Sequence, residues 1–264
     1  MCCPLAGGGS YIRATNPTKG EHFGAEVDFG ARGHPKISVN KGSVLNSNED
    51  SITRTSRRIK RPTITLDLFN LAGKTALITG GGRGISRAMA IGIAESGADI
   101  ILILRNESQC ETEAAIEVLV RKCHVYIADL GGQRAVSRII PHVILDHSFE
   151  ILVNGAGIQR RIPAAEFAQD VYQQVMQTNL GATFALCRDT GRYWIDKGIK
   201  GRIINVASLA TFQGGINMAA YSASKGAVGQ LTKALSNEWA KRGIVVNAIA
   251  PRYVLRNMGN LICE

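Results

Sequence analysis

Two side chains one helical turn apart, Tyr221 and Lys225, could exchange a proton with an alcohol or a ketone. A helix over residues 220–242 would place them at positions i and i+4 on one face. A phenol ordinarily titrates near pH ~10, and an ammonium group beside it favours the phenolate, which suits the hydroxyl to acid and base catalysis. Because Tyr-x-x-x-Lys also occurs by chance in helices, this interpretation depends on the elements around the pair.

Ser208 is the next candidate, since it follows a predicted strand over residues 202–206. Its hydroxyl would lie at the carboxyl end of that strand, where a substrate oxygen could meet Tyr221. Taken alone, Ser208 is equally consistent with an ordinary turn residue.

A glycine-rich turn lies between a predicted buried strand, 75–79, and a predicted helix that ends at Gly97. The turn runs from Gly80 to Ser86, and apolar residues then recur every four residues. Glycines let a phosphate approach the backbone, and the free N–H groups of a helix N-terminus favour an anion. The pattern predicts a phosphate site, with a tight turn that binds no ligand as the alternative.

The second predicted strand, 99–104, ends in Arg105 and Asn106. In doubly wound folds an acidic residue at this tip binds the ribose hydroxyls of NAD, whereas a nearby arginine accommodates the extra phosphate of NADP. The tip has no acidic residue, so Arg105 and Arg83 favour NADP(H), with NAD(H) as the alternative. Both could also be ordinary surface arginines.

Strands and helices continue to alternate, with helices predicted over 111–122 and 134–146 and strands over 124–128 and 151–153. This order predicts an α/β fold with a doubly wound parallel sheet covered on both faces, a three-layer α/β/α arrangement. Ligands of such sheets bind beyond the carboxyl ends of the strands, which places Asp129 and the segment 154–157 on the same rim as the glycine turn. Asp129 could contact an adenine or cap a helix.

Several short motifs occur together, in order, between Leu66 and Met258. They are Thr79-Gly80-x-x-x-Gly84, Asp129-Leu130, Asn154-x-Ala156-Gly157, Asn179, Ser208 and Tyr221-x-x-x-Lys225. Their combination resembles the short-chain dehydrogenase/reductase family. The resemblance implies a Rossmann-type fold and NAD(P)-dependent hydride transfer between a nicotinamide and a carbinol or carbonyl carbon.

The resemblance also implies a role for each matched residue. Tyr221 would be the acid and base, Lys225 would lower its pKa and bind the nicotinamide ribose, Ser208 would bind the substrate oxygen, and Asn179 would hold a water that links Lys225 to solvent. The implied cofactor contacts are Gly80, Gly82, Arg83, Gly84, Ile85, Arg105, Asp129, Leu130, Asn154, Ala156, Gly157, Tyr221, Lys225 and Pro251.

Three short segments, 157–161, 212–215 and 237–240, are similar to the sugar-acid branch of the family. This branch comprises the 2-deoxy-D-gluconate 3-dehydrogenases, the 2-dehydro-3-deoxy-D-gluconate 5-dehydrogenases and the gluconate 5-dehydrogenases. Arg160 or Arg161 could bind a substrate carboxylate through paired hydrogen bonds, or could be solvated loop residues. Members of this branch often use NAD, which conflicts with the interpretation of Arg105. The family commonly forms homodimers or homotetramers through the helix that starts near Tyr221.

The chain departs from the family pattern in two regions. Ser86 stands in place of the third glycine of the turn, and Gly155 in place of the second asparagine of Asn-Asn-Ala-Gly. After Pro251, Arg252 replaces a glycine, and the sequence stops at Glu264, before the last strand and the substrate-loop helices of the family. We therefore expect a truncated domain, 66–264. The alternative function is a weak or inactive cofactor-binding or interaction protein.

Composition narrows the remaining classes of function. The 264 residues carry a formal net charge of +10, but aromatic residues make up only 6% and the sequence contains no recognisable nucleic-acid-binding motif. These two observations argue against nucleic-acid binding. There is no membrane-spanning run and no metal-ligand spacing, and the cysteine usage suggests a reducing compartment, so a cytoplasmic protein without metal is expected. Residues 1–62 lack periodicity and are predicted to be disordered, and the basic run 57–61 is either a targeting patch or a linker.

Overall fold

The chain divides into two units, Met1–Lys60 and Arg61–Glu264. The computed structural model describes residues 69–107 and 111–252 and, in the first unit, the backbone of three strands. These strands, β1 (Ile12–Thr15), β2 (His22–Asp28) and β3 (Lys36–Ser38), form an antiparallel sheet in the order β1-β2-β3. Apolar residues at 23, 25 and 27 alternate along β2, a strand pattern too short to stand out in an irregular sequence. Disorder of residues 1–62 stays a prediction.

The second unit contains six parallel strands in the order β6-β5-β4-β7-β8-β9. They are β4 (Thr75–Thr79), β5 (Asp99–Leu104), β6 (Cys123–Ile127), β7 (Ile151–Asn154), β8 (Arg202–Val206) and β9 (Val245–Ile249). The chain first builds outward from β4 to β6 and then returns to β7 on the other side of β4. This reversal opens a crevice beyond the carboxyl ends of β4 and β7, where ligands of open α/β sheets bind.

Six α-helices connect these strands within the described residues. They are α1 (Gly84–Glu95), α2 (Glu111–Glu117), α3 (Gln133–Asp146), α4 (Gln169–Met176), α5 (Ala182–Lys197) and α6 (Ala219–Trp239). Helix α2 is shorter than the predicted 111–122. The chain leaves the helix after Glu117 and adopts a left-handed conformation at Val120, with φ 57°, which a continuing helix cannot accommodate.

Helices cover both faces of the sheet because successive strand residues point in opposite directions. Leu77 of β4 packs with α3, α5 and α6 on one face, and Ile78 packs with α1 and α2 on the other. Trp194 of α5 is fully buried in the first layer and donates its indole N–H to the carbonyl of Phe149 at 2.7 Å. The two cores hold the carboxyl ends of the strands in fixed register.

Among residues 69–107 and 111–252, no helix has both the length and the apolar composition needed to span a bilayer. In the same part of the chain, no group of three or more His, Cys, Asp or Glu side chains is arranged to hold a metal ion. Up to residue 252, where the described part of the chain ends, no seventh strand pairs with β9.

Candidate active site

The glycine turn joins β4 to α1 and is packed directly against the loop after β7. Gly80 has φ 69°, and a Cβ there would lie 2.8 Å from Cα of Ala156. Both the conformation and the contact therefore require glycine. Helix α1 begins after Arg83, whose side chain does not cap it, so the first N–H groups of the helix remain available to an anion.

Thr79 connects the glycine turn to the loop after β7. Its hydroxyl accepts hydrogen bonds from the N–H groups of Gly155 at 3.1 Å and Ala156 at 3.2 Å, and donates to the carbonyl of Val153 at 3.5 Å. One side chain therefore fixes two loops of the rim relative to each other.

The two departures from the family pattern in this region touch each other. The hydroxyl of Ser86 donates to the carbonyl of Gly155 at 3.1 Å. A Cβ at position 155 would lie 2.2 Å from Oγ of Ser86, so the serine occupies the space that a side chain at 155 would need. Serine at 86 and glycine at 155 are thus complementary, a relation between residues distant in sequence that neither position reveals alone.

A cleft of about 1610 Å³ runs along the carboxyl ends of the strands, from the glycine turn to α6. Most of the predicted site residues line it. They are Gly80, Gly82, Arg83, Gly84, Ile85, Arg105, Asp129, Leu130, Ala156, Gly157, Arg160, Ser208, Tyr221, Lys225 and Pro251. The structure therefore brings together residues from every motif of the resemblance except Asn179.

Asp129 lies where β6 leads into α3, and its carboxylate accepts the N–H of Gly131 at 2.9 Å. This bond closes an Asx turn before the helix, whose N-cap is Gly132 and receives no side-chain capping bond, so the helix-capping interpretation of Asp129 is wrong. Asp129 lines the cleft. Arg105 follows β5 and is exposed at the cleft.

Three predicted site residues, Asn154, Arg161 and Asn179, are not among those that line the cleft. Asn154 is buried and donates from Nδ2 to Oδ1 of Asn205 at 2.9 Å and to Sγ of Cys187 at 3.2 Å, so it joins β7 to β8 and α5. Burial raises the pKa of the Cys187 thiol to about 12. The Asn154 side chain therefore has a structural role in the core, and a cofactor contact at Asn154 stays a prediction.

Asn179 lies in a π-helical turn, Gln177–Gly181, between α4 and α5. Its amide accepts from the N–H of Ile158 at 2.8 Å and donates to the carbonyl of Ile158 at 2.9 Å and to Oγ of Ser224 at 3.0 Å. Asn179 thus ties the loop after β7 to α6. Insertions of this kind in helices occur frequently at functional sites, and no periodicity in the sequence indicated this one.

Ser208 begins a short 3₁₀ turn, Leu209–Thr211, directly beyond β8. Its hydroxyl oxygen accepts the N–H of Ala210 at 3.1 Å. Because a hydroxyl has one proton and two lone pairs, the Ser208 proton remains available to a substrate oxygen.

Tyr221 and Lys225 lie on the first turns of α6, and Nζ of Lys225 is 5.9 Å from the centre of the Tyr221 ring. Lys225 is only 5% exposed, and Nζ donates to the carbonyl of Val206 at 2.5 Å. Burial lowers the pKa of Lys225 from 10.5 to about 8. Lys225, Tyr221 and Ser208 all line the cleft.

The chain matches the model of the short chain dehydrogenase family over residues 74–262. It belongs to that family. The short-chain dehydrogenases are NAD(P)-dependent oxidoreductases, so the predicted family, fold class and enzyme class are confirmed.

Individual short-chain dehydrogenases match over about three quarters of their length. The 2-dehydro-3-deoxy-D-gluconate 5-dehydrogenase of Pseudoalteromonas atlantica is 44% identical over 192 residues, 72% of this chain and 75% of that protein. The gluconate 5-dehydrogenase of Gluconobacter oxydans is 36% identical over 194 residues, 73% of this chain and 75% of the relative. The chain also resembles a crystal structure of a gluconate 5-dehydrogenase from Burkholderia cenocepacia in complex with NADP and tartrate. The two superpose with a TM-score of 0.67 at 37% identity, and the match covers 71% of this chain and 74% of the Burkholderia chain.

Proposed function

We propose that this chain transfers a hydride between NADP(H) and a secondary alcohol or ketone of a sugar acid, with Tyr221 as the acid and base. The observation that carries the proposal is that Ser208, Tyr221 and Lys225 line the same cleft as the glycine turn. The named activities of the similar short-chain dehydrogenases support a sugar acid as the substrate.

The residues of the cleft fit a dinucleotide. Gly80 lets the glycine turn pack against Ala156, and the uncapped start of α1 offers N–H groups to a phosphate. Lys225 and Tyr221 would hold the nicotinamide ribose at the other end of the cleft. When bound, the cofactor supplies or accepts the hydride.

The side chains of the protein would donate and accept the proton that accompanies hydride transfer. During reduction, the Tyr221 hydroxyl would donate its proton to the substrate oxygen, and it would recover a proton during oxidation. The free proton of Ser208 would bind the same oxygen, and the ammonium of Lys225 would stabilise the phenolate. Asn179 would hold a water that carries protons between Lys225 and solvent. In support, a Cβ at Gly157 would lie 3.3 Å from Oδ1 of Asn179 and 3.7 Å from Nζ of Lys225, so the two groups flank the same glycine.

Two arginines support NADP(H) over NAD(H). Arg83 and Arg105 both line the cleft at the glycine turn, where their guanidinium groups could bind the phosphate that distinguishes NADP. At the other end, Arg160 lines the cleft whereas Arg161 does not, so Arg160 is the better candidate for a substrate carboxylate. We also propose that the protein forms a homo-oligomer and is located in the cytoplasm.

The proposal is tested by following NADPH oxidation with 5-keto-D-gluconate as the substrate, for the wild-type chain and for Tyr221→Phe. The variant removes one hydroxyl and keeps the ring. We expect kcat to fall by about 10²–10⁴-fold because the general acid is lost. Titration of both proteins with NADPH should give dissociation constants within about tenfold, since the variant loses one hydroxyl of the ribose contact and keeps Lys225 and the glycine turn. Equal turnover by the two proteins would refute the role of Tyr221.

A second function, cofactor binding with little or no turnover, is favoured by Arg252. Arg252 lines the cleft at the position where the family pattern has a glycine. NADPH binding to the wild-type chain without oxidation of NADPH by any of several sugar-acid ketones would support this second function over the first.

A further inference from the structure

The turn that carries Ser208 is attached to helix α6 by one side chain, Thr211. The Thr211 hydroxyl accepts the backbone N–H of Ser208 at 3.3 Å. It also donates to the backbone carbonyl of Lys225 at 3.0 Å. Since a hydroxyl has a single proton, one group acts here as acceptor towards the Ser208 turn and as donor towards the helix.

The methyl group of Thr211 fits a gap in the same helix. A Cβ at Gly229, one turn after Lys225, would lie 2.5 Å from Cγ2 of Thr211. Glycine at this position therefore lets the turn approach α6 closely enough for the hydroxyl to reach the Lys225 carbonyl.

Lys225 is bound to this segment at both of its ends. Its ammonium group donates to the carbonyl of Val206, at the end of β8, and its backbone carbonyl accepts from Thr211. Ser208 lies between Val206 and Thr211 in sequence. The two bonds thus fix the backbone on both sides of Ser208 relative to the helix that carries Tyr221.

We propose that Thr211 is a positioning residue that sets the distance between the Ser208 hydroxyl and the Tyr221 hydroxyl. The inference rests on the proposed function, because the two hydroxyls must meet the same substrate oxygen. A displacement of about 1 Å between reacting groups can lower a rate by about 100-fold. Loss of the Thr211 hydroxyl releases the Ser208 N–H and frees the turn to move by such an amount.

The first test compares Thr211→Val, which keeps the shape and removes the hydroxyl, with Thr211→Ser, which keeps the hydroxyl and removes the methyl. We expect T211V to lower kcat for 5-keto-D-gluconate by about 10–100-fold and T211S to stay within about threefold of wild type. In a Ser208→Ala background, T211V should cause no further loss, since Thr211 acts through Ser208. An equal loss in both backgrounds, or no loss in either, would overturn the proposal.

The second test uses Gly229→Ala, which leaves both hydroxyls in place and pushes the Thr211 methyl away from α6. G229A should lower kcat in the same way as T211V, and the double variant T211S/G229A should recover activity because serine lacks the methyl that clashes. No loss in G229A, or no recovery in the double variant, contradicts the proposed packing. This cycle also decides the case if T211V does not fold.

Hydrogen exchange of the segment 205–212 keeps this inference separable from the proposed function. The Ser208 amide should exchange faster in T211V and G229A than in wild type or T211S, whether or not the protein turns over a sugar acid. A wild-type chain without turnover would reject the proposed function, while unchanged exchange in T211V would reject the role of Thr211.

Discussion

The two ends of the cleft are built differently. At the glycine turn, backbone groups surround the ligand space and small residues are required because they let backbones approach, as at Gly80 and Ala156. At the α6 end the site is formed by side-chain groups, and the side chains of Ser208, Thr211 and Lys225 each make a specific hydrogen bond. A site made of backbone can exchange small residues in pairs, as Ser86 and Gly155 show. A site made of side chains has no comparable substitute for a lost hydroxyl or ammonium group.

The largest effect is expected at the side-chain end, from Lys225→Met. If Tyr221 acts as proposed, the variant removes a cation that lies 5.9 Å from the centre of the Tyr221 ring, and we expect kcat to fall by about 10³-fold or more. Stability should change in the opposite direction. At pH 7 the wild-type fold holds a buried cation whose pKa is lowered to about 8, and methionine removes that cost. The free energy of unfolding should rise by about 1–3 kcal/mol, less what the lost bond to the Val206 carbonyl contributed.

The pH dependence of this difference follows from linkage. Between pH 8 and 10.5, the unfolded chain binds a proton at Lys225 that the folded chain does not, so wild-type stability from this group increases with pH. The advantage of K225M should therefore be full below pH 8 and disappear towards pH 10.5. Urea unfolding at pH 7 and pH 10 measures it, and an advantage that grows with pH would contradict the burial of the charge. Lys233→Met, at an exposed position of the same helix, is the matched control.

A smaller effect is expected at the other end, from Arg105→Gln. The variant removes one cation from the glycine-turn end of the cleft and leaves the backbone groups intact. We expect the preference for NADPH over NADH, measured as the ratio of dissociation constants, to fall by about 10–100-fold through weaker NADPH binding. Arg161→Gln, which alters an arginine outside the cleft, should leave the ratio unchanged. If both variants behave alike, the assignment of Arg105 is wrong.

The smallest effect concerns the complementary pair, measured as a stability cycle. Gly155→Asn adds a side chain into the space of Ser86 and should destabilise the fold by about 1–3 kcal/mol. Ser86→Gly alone should cost about 1 kcal/mol for the lost hydrogen bond and the added helix glycine. The double variant should be more stable than the sum of the two changes predicts. Additive costs would show that the two positions are independent.

Sequence patterns predicted the strands of the large unit closely, because apolar runs such as 75–79 and 99–104 have the length and composition of buried strands. They also placed Tyr221, Lys225 and Ser208 correctly at one rim, since parallel strands end on one side. What they missed depends on contacts between distant residues. The Asn154 side chain turned towards Asn205, the pairing of Ser86 with Gly155 and the bridge made by Thr211 all join segments far apart in the chain. The π-helical turn at Asn179 has no signal in apolar periodicity.

The burial of Cys187 between Asn154 and Asn205 has a practical consequence. A thiol reacts with alkylating reagents as the thiolate. Because Cys187 has a pKa of about 12 and is completely buried, the folded protein contains almost no reactive Cys187 thiolate. Cys123, on the outer strand, is partly accessible by contrast. Labelling of Cys187 therefore requires a local opening that separates α5 from the sheet. The rate of labelling would report how often this opening occurs.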